Sequence, residues 1–116
     1  MAVVSNTISV AANSSSSNQL AGVPEGLLLT PAEISVTANH SGAARGDIVA
    51  HYFSGVSAKL GSTGSPVNVA ATAGNIDPRT DTLLRRVAVI GQQSLVFKNT
   101  TSGALTVNWS YEVHED

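Results

Sequence analysis

The stretch "SLVFKNTTSGALTVNWSYEV", residues 94–113, alternates apolar and polar positions with a period of two. Leu105, Val107, Trp109, Tyr111 and Val113 share one parity; Thr106, Asn108, Ser110 and Glu112 share the other. Successive side chains of a strand point to opposite faces, so this is the pattern of a half-buried β-strand. The rhythm recurs upstream. "EISVTAN" puts Ile34, Val36 and Ala38 inward, and "PVNVAA" puts Val67, Val69 and Ala71 on one side. "DIVAHYFS" carries Ile48, Ala50 and Tyr52 on one face and Val49, His51 and Phe53 on the other. A strand apolar on both faces belongs in the middle of a sandwich or under a partner subunit. Bounded by Gly, Pro, Asn and Ser clusters, the pattern predicts strands at roughly 3–11, 34–39, 47–54, 56–60, 66–71, 87–90, 94–98 and 104–113. "KNTTSG" is rich in turn formers and joins the last two as a hairpin, with Leu105, Val107, Trp109 and Tyr111 as its core face.

Helical signals are short. "TPAE" at 30–33 has the form of a capping box, with Thr30 as cap and Pro31 at the first position, but β-branched alternation follows at once. One turn is expected there. "DPRTDTLLRR" at 77–86 offers Asp77 as cap and Pro78 at the start, and predicts a short helix or 3-10 turn before "VAVI" resumes as strand. Eight short strands with at most one short helix define an all-β protein, an antiparallel β-sandwich that is jelly-roll-like or immunoglobulin-like. "NSSSSNQ" at 13–19 is a polar low-complexity run, expected as a mobile loop. It divides the chain into an N-terminal arm and loop at 1–19 and a sandwich domain at 20–116.

A chain of 116 residues is one domain and buries about two-thirds of its unfolded surface. It holds no cysteine, which excludes disulfides and thiolate chemistry. Only 12% of residues are charged, about half the usual share. Six scattered basic residues and a net charge of −2 leave no patch for a phosphate backbone, so no nucleic-acid partner is expected. A surface so weakly charged repels its own copies poorly and suits a protein packed against neighbours. It also suits a β-domain that is merely polar. The N-terminus lacks a basic segment followed by an apolar run, so no signal peptide is read, and no window approaches the ~20 apolar residues of a membrane span.

Candidate chemistry is thin. His40, His51 and His114 are the histidines, and none is spaced from another as H-x-x-x-H. Serines are too numerous for an imagined Ser–His–Asp set to carry information, and no nucleophile elbow, P-loop or dinucleotide fingerprint occurs. No enzymatic activity and no cofactor are expected. "GNIDPRTD" gathers Asn75, Asp77 and Asp81 in one loop, an oxygen-rich set of the kind that holds Ca²⁺. An Asp-Pro turn capping a helix explains it more cheaply, so no metal is assigned. "ARGDI" contains Arg45-Gly46-Asp47, which resembles the integrin-recognition tripeptide and also fits a plain solvated turn. Sequons at Asn13, Asn39, Asn99 and Asn108 follow from a Ser/Thr/Asn-rich composition and are not read as glycosylated.

The C-terminal "LLRRVAVIGQQSLVFKNTTSGALTVNWSYEV", residues 83–113, resembles small all-β virion proteins of tailed bacteriophages, in which a terminal hairpin of this kind closes a sandwich. The cysteine-free, charge-poor, Ala/Val/Ser/Thr-rich profile is most similar to capsid decoration (cement) proteins. That resemblance implies a homo-oligomer, commonly a trimer, assembled in the host cytoplasm onto a virion, where it bridges capsomers of the major capsid protein. It also implies that residues 2–12, with Val3, Val4, Ile8 and Val10, form a partner-binding arm that adds a strand to a neighbour's sheet edge. An ordinary first strand of the same sandwich explains those residues equally well. The alternative function is a receptor- or carbohydrate-binding module of a phage fibre or tail.

Overall fold

The structure, a computed structural model, describes residues 2–55, 57–58, 67–71 and 81–114. Its strands are β1 (Ala2–Val10), β2 (Leu27–His40), β3 (Ile48–Ser54), β4 (Ser57–Ala58), β5 (Val67–Asn68), β6 (Thr82–Asn99) and β7 (Leu105–His114). Among the described residues every strand pair is antiparallel. The protein is therefore all-β and antiparallel, as the periodicity predicts. The hydrogen-bonded order is β1-β7-β2-β6-β3-β4, with β5 also on β3.

The long strand β6 turns this path into an enclosure. Thr82–Gln92 pair with β2, whereas Gln93–Asn99 pair with β3. Between the two halves Gly91 sits at φ +86°, a left-handed backbone that glycine adopts without penalty. The strand bends there, and both halves contribute to one core. Ile34, Val36 and Ala38 of β2, Ile48, Ala50 and Tyr52 of β3, Leu95 and Phe97 of β6, and Val107, Trp109, Tyr111 and Val113 of β7 belong to a single buried cluster. Val69 and Ala70 complete the girdle: Val69 N–H donates to the Ile48 carbonyl of β3, and the Ala70 carbonyl accepts from His40 N–H of β2.

Three expectations change. Residues 30–33 form no helical turn but continue β2. β2–β6 pairing is interrupted between Leu28 and Ala32, and β2–β7 pairing begins only at Glu33, so Pro31 lies where no ladder requires its missing N–H. Of the short helix or 3-10 turn expected over 77–86, Asp81 is helical, whereas residues 82–86 are strand. Leu84 is buried in register with Val36 and competes for the core better than as part of a short helix. Residues 77–80 lie outside the described residues. The polar run is not a loose loop either. Ser16 N–H and Gln19 N–H donate to the Phe97 and Leu95 carbonyls (2.7 and 2.8 Å), and Asn99 N–H donates to Ser14 (2.8 Å). Ser16 Oγ accepts from Phe97 N–H, and Asn18 Oδ1 accepts from Leu95 N–H, both at 3.0 Å. The short side chains that make the run look featureless thus cover the free edge of β6.

Candidate interaction surface

The residues singled out as a partner-binding arm form β1, which pairs residue for residue with β7 from Ala2–Val113 to Val10–Leu105. It is the first strand of its own sheet. Val10 is buried, Val4 and Ile8 are half-buried against the core, and Val3 is exposed. Of the C-terminal hairpin, Val107, Trp109 and Tyr111 are fully buried and Leu105 is half-buried against the same cluster.

Arg45-Gly46-Asp47 forms a short 3-10 turn leading into β3. Asp47 is half-buried, and its Oδ2 accepts the backbone N–H groups of Ala43 and Ala44 at 3.1 and 3.0 Å. The carboxylate therefore organises its own loop, while Arg45 is exposed. Asn75 and Asp77 lie outside the described residues. Asp81 is buried, and its Oδ2 accepts from Asn39 Nδ2 at 3.2 Å. Asn39 Oδ1 in turn accepts from Asn108, and Asn108 Oδ1 accepts from Thr7 Oγ1 at 2.7 Å. This polar ladder crosses the sheet from β1 to the start of β6.

The histidines show what the structure assembles from candidate catalytic groups. His114 Nε2 lies 3.1 Å from Ser35 Oγ, and the same nitrogen is 3.8 Å from Glu112 Oε2. A Ser–His–acid relay needs the carboxylate on the other ring nitrogen. Ser35 Oγ also accepts Arg86 N–H at 3.0 Å, where β2–β6 pairing shifts register and Arg86 takes φ +49°. Ser35 thus ties down a β-bulge. The Arg86–Glu33 ion pair beside it, at 3.1 Å, is half-exposed and contributes at most about 1 kcal/mol. His40 is buried, with Nδ1 accepting Gly42 N–H at 2.9 Å, and His51 is half-buried on β3.

Both tyrosines face the core from opposite halves of the fold. Tyr52 donates to Gln93 Oε1 at 2.7 Å, and Tyr111 donates to the Glu25 carbonyl at 3.0 Å. Burial, reinforced by the neighbouring Tyr111 phenol, pushes the Tyr52 hydroxyl far above its ordinary range. Burial likewise pushes Tyr111 up to about 12.

What the surface does present is apolar. Leu29 is 85% exposed, and Val3, Ile90, Leu27 and Phe53 are 55%, 52%, 50% and 38% exposed. Register brings four of these onto neighbouring strands. Leu27 of β2 pairs with Gln92 of β6, and Leu29 and Ile90 adjoin the Leu28–Gly91 pair, where the ladder breaks before resuming at Ala32–Val89. Phe53 of β3 pairs with Ser94 of β6, just past the bend. An open groove of about 410 Å³ runs beside this band, lined by Ala2, Pro24, Leu27, Leu29, Thr30 and Val113 among others. The sequence reading missed this band. Its signal was the triple leucine at 27–29: in a strand, three consecutive apolar residues put at least one on the outer face.

Compared with known protein families, curated proteins and solved structures, the chain matches none.

Proposed function

We propose that this protein is a non-enzymatic structural subunit of a virion, a decoration protein that binds the outside of a phage head and stabilises it by bridging capsomers. The observation that carries the reading is the exposed band of Leu27, Leu29, Ile90 and Phe53 on a surface with few charges. Large apolar side chains exposed on neighbouring strands in this way support a reading of protein contact. An exposed leucine loses about 1.5–3 kcal/mol of potential burial, which docking recovers. A subunit that binds the assembled shell and not its free protomers shifts assembly by mass action. Its partners in this reading are the major capsid protein and further copies of itself, with three copies the arrangement the resemblance favours. Its place is the virion, assembled in the host cytoplasm.

The alternative, a carbohydrate- or receptor-binding module, draws little support from the aromatic residues. Sugar stacking uses exposed rings, whereas Trp109, Tyr52, Tyr111 and Phe97 are buried and Phe53 alone is partly exposed.

The test is co-sedimentation of the purified protein with phage heads from the strain that carries its gene. Wild type is expected to pellet with heads and not with free capsid protein, and the folded variant Leu29→Asp/Ile90→Asp is expected to stay in the supernatant. No pelleting by the wild type, together with its absence from purified particles by mass spectrometry, rejects the reading.

A further inference from the structure

The two long edges of the sheet are treated differently. The free edge of the second half of β6 is covered by residues 14–19. β1, at the end of the strand order, has no strand partner on its outer edge among the described residues. Folded proteins usually blunt such an edge with a lysine, a proline, a bulge or a short strand. "AVVSNTISV" has none of these: its nine residues carry no charge and no proline, and pair with β7 without a register shift. The apolar inner layer also runs out here, with Val4 and Ile8 only half-buried.

We infer that β1 is the contact for a second copy of this chain, joined across a two-fold axis through Asn6 so that the two sheets continue into one. The sequence of the strand selects this partner, because β1 is complementary to itself in antiparallel register about that residue. Val4 falls opposite Ile8 of the partner subunit, on the parity that faces the core. Ser5 falls opposite Thr7 of the partner subunit, on the exposed parity. Ala2 meets Val10 of the partner subunit, and the axis passes between Asn6 and Asn6 of the partner subunit. The apolar pair extends the inner layer of each subunit, and the hydroxyl pair supplies cross-strand hydrogen bonds. Backbone groups of one outer edge satisfy those on the other, Thr7 N–H giving up the Asn6 Oδ1 to which it donates at 2.9 Å in the single subunit, the arrangement of β-augmentation in an isologous dimer. A nine-residue strand pair buries less than the roughly 1,000 Å² of a stable interface, so association is concentration-dependent. An isologous contact closes on two copies, so it is separate from the three-copy arrangement and independent of shell binding through the apolar band.

The register gives a direct test, because the chain has no cysteine of its own. Residues directly opposite in antiparallel strands have Cα atoms about 4.5–5.5 Å apart, within the span of a disulfide. Asn6→Cys is therefore expected to oxidise to a covalent dimer, and Ser9→Cys, offset from the axis on the same exposed strand, at least about tenfold more slowly. In parallel, Ser5→Lys/Thr7→Lys places like charges opposite each other and is expected to abolish concentration-dependent growth of mass above 11.8 kDa in light scattering. Ser5→Lys/Thr7→Glu makes the same positions attractive and is expected to retain it. Equal cross-linking at residues 6 and 9, or none at residue 6, overturns the proposal. So does a charge-pair series in which both variants associate as the wild type does. If the double-lysine variant does not fold, the cysteine pair decides alone.

Discussion

At the scale of single residues, the buried polar groups show how the fold is held. Gln93 is fully buried, and every polar atom of its side chain is used. Oε1 accepts from Tyr52, while Nε2 donates to Ser54 Oγ at 3.1 Å, to the Gly91 carbonyl at 3.1 Å and to the Ile90 carbonyl at 3.3 Å. Those carbonyls belong to the bend of β6, so one amide braces the turn in the backbone and links it to β3. Tyr52→Phe keeps the ring and leaves Gln93 Oε1 buried without its donor, at an expected cost of about 1–3 kcal/mol in denaturant-unfolding free energy. The two phenols also set an alkaline limit. A tyrosine whose folded pKa is raised contributes stability that is complete below the unfolded value and is lost as pH rises through the folded one. For Tyr111 the window runs from the ordinary value of 10.0 to about 12, and Tyr52 extends the loss in the same direction. Stability is therefore expected to fall above pH ~10, with tyrosinate absorbance appearing together with the loss of circular dichroism. Tyrosinate formed at the ordinary value in a still-folded protein would contradict this burial.

Strands and their connections show where sequence patterning ends. Alternation located β1, β3, β7 and the core parity of β2, because those strands have one face in the core and one outside. It broke β6 in two, since "VAVIGQQSL" reads as strand, glycine break and strand. Gly91 in fact bends a continuous strand of 18 residues. Pairing across the bend depends on Gln93, whose polarity argues for the surface until its four partners are known. The triple leucine at 27–29 was visible, but only the pairing of β2 with β6 shows that Leu27 and Leu29 lie on the strand beside Ile90, around the Leu28–Gly91 pair. The β6–β7 turn rests on Asn99, which is buried. Its Nδ2 donates to the carbonyls of Val10 (3.0 Å) and Gly103 (2.8 Å), and its Oδ1 accepts from Thr101 N–H (2.8 Å) and Oγ1 (2.7 Å). A glycosylation sequon in the sequence is thus a structural knot that ties the end of β1 to the last hairpin. Asn99→Ala strands the Val10 carbonyl and the Thr101 N–H, and is expected to cost about 2–3 kcal/mol. At roughly 4–8 °C of melting temperature per kcal/mol, this is readily measured by calorimetry. A change within about 0.5 kcal/mol, the range of ordinary surface substitutions, would mean that the turn holds without it.

Across the whole molecule, few charges and an exposed apolar band make one physical statement about association. With a net charge of −2 and a half-exposed ion pair at Arg86–Glu33, long-range electrostatics neither holds copies apart nor draws a charged partner in. In the proposed function, contact through Leu27, Leu29, Ile90 and Phe53 is driven by removing apolar area from water, which added salt does not screen. Raising sodium chloride from 0.1 to 1 M shortens the Debye length from about 10 to about 3 Å and would dissolve a contact made by surface charges. The expected result is that binding to heads survives this change, and that sulfate, which is excluded from protein surfaces, strengthens it. Leu29→Asp/Ile90→Asp replaces two exposed side chains, so its stability is expected to remain within about 0.5 kcal/mol of wild type while head binding is lost at every salt concentration. Binding that fell steeply with sodium chloride and survived the double substitution would move the contact away from the band, to the charged groups around Arg86 and Glu112.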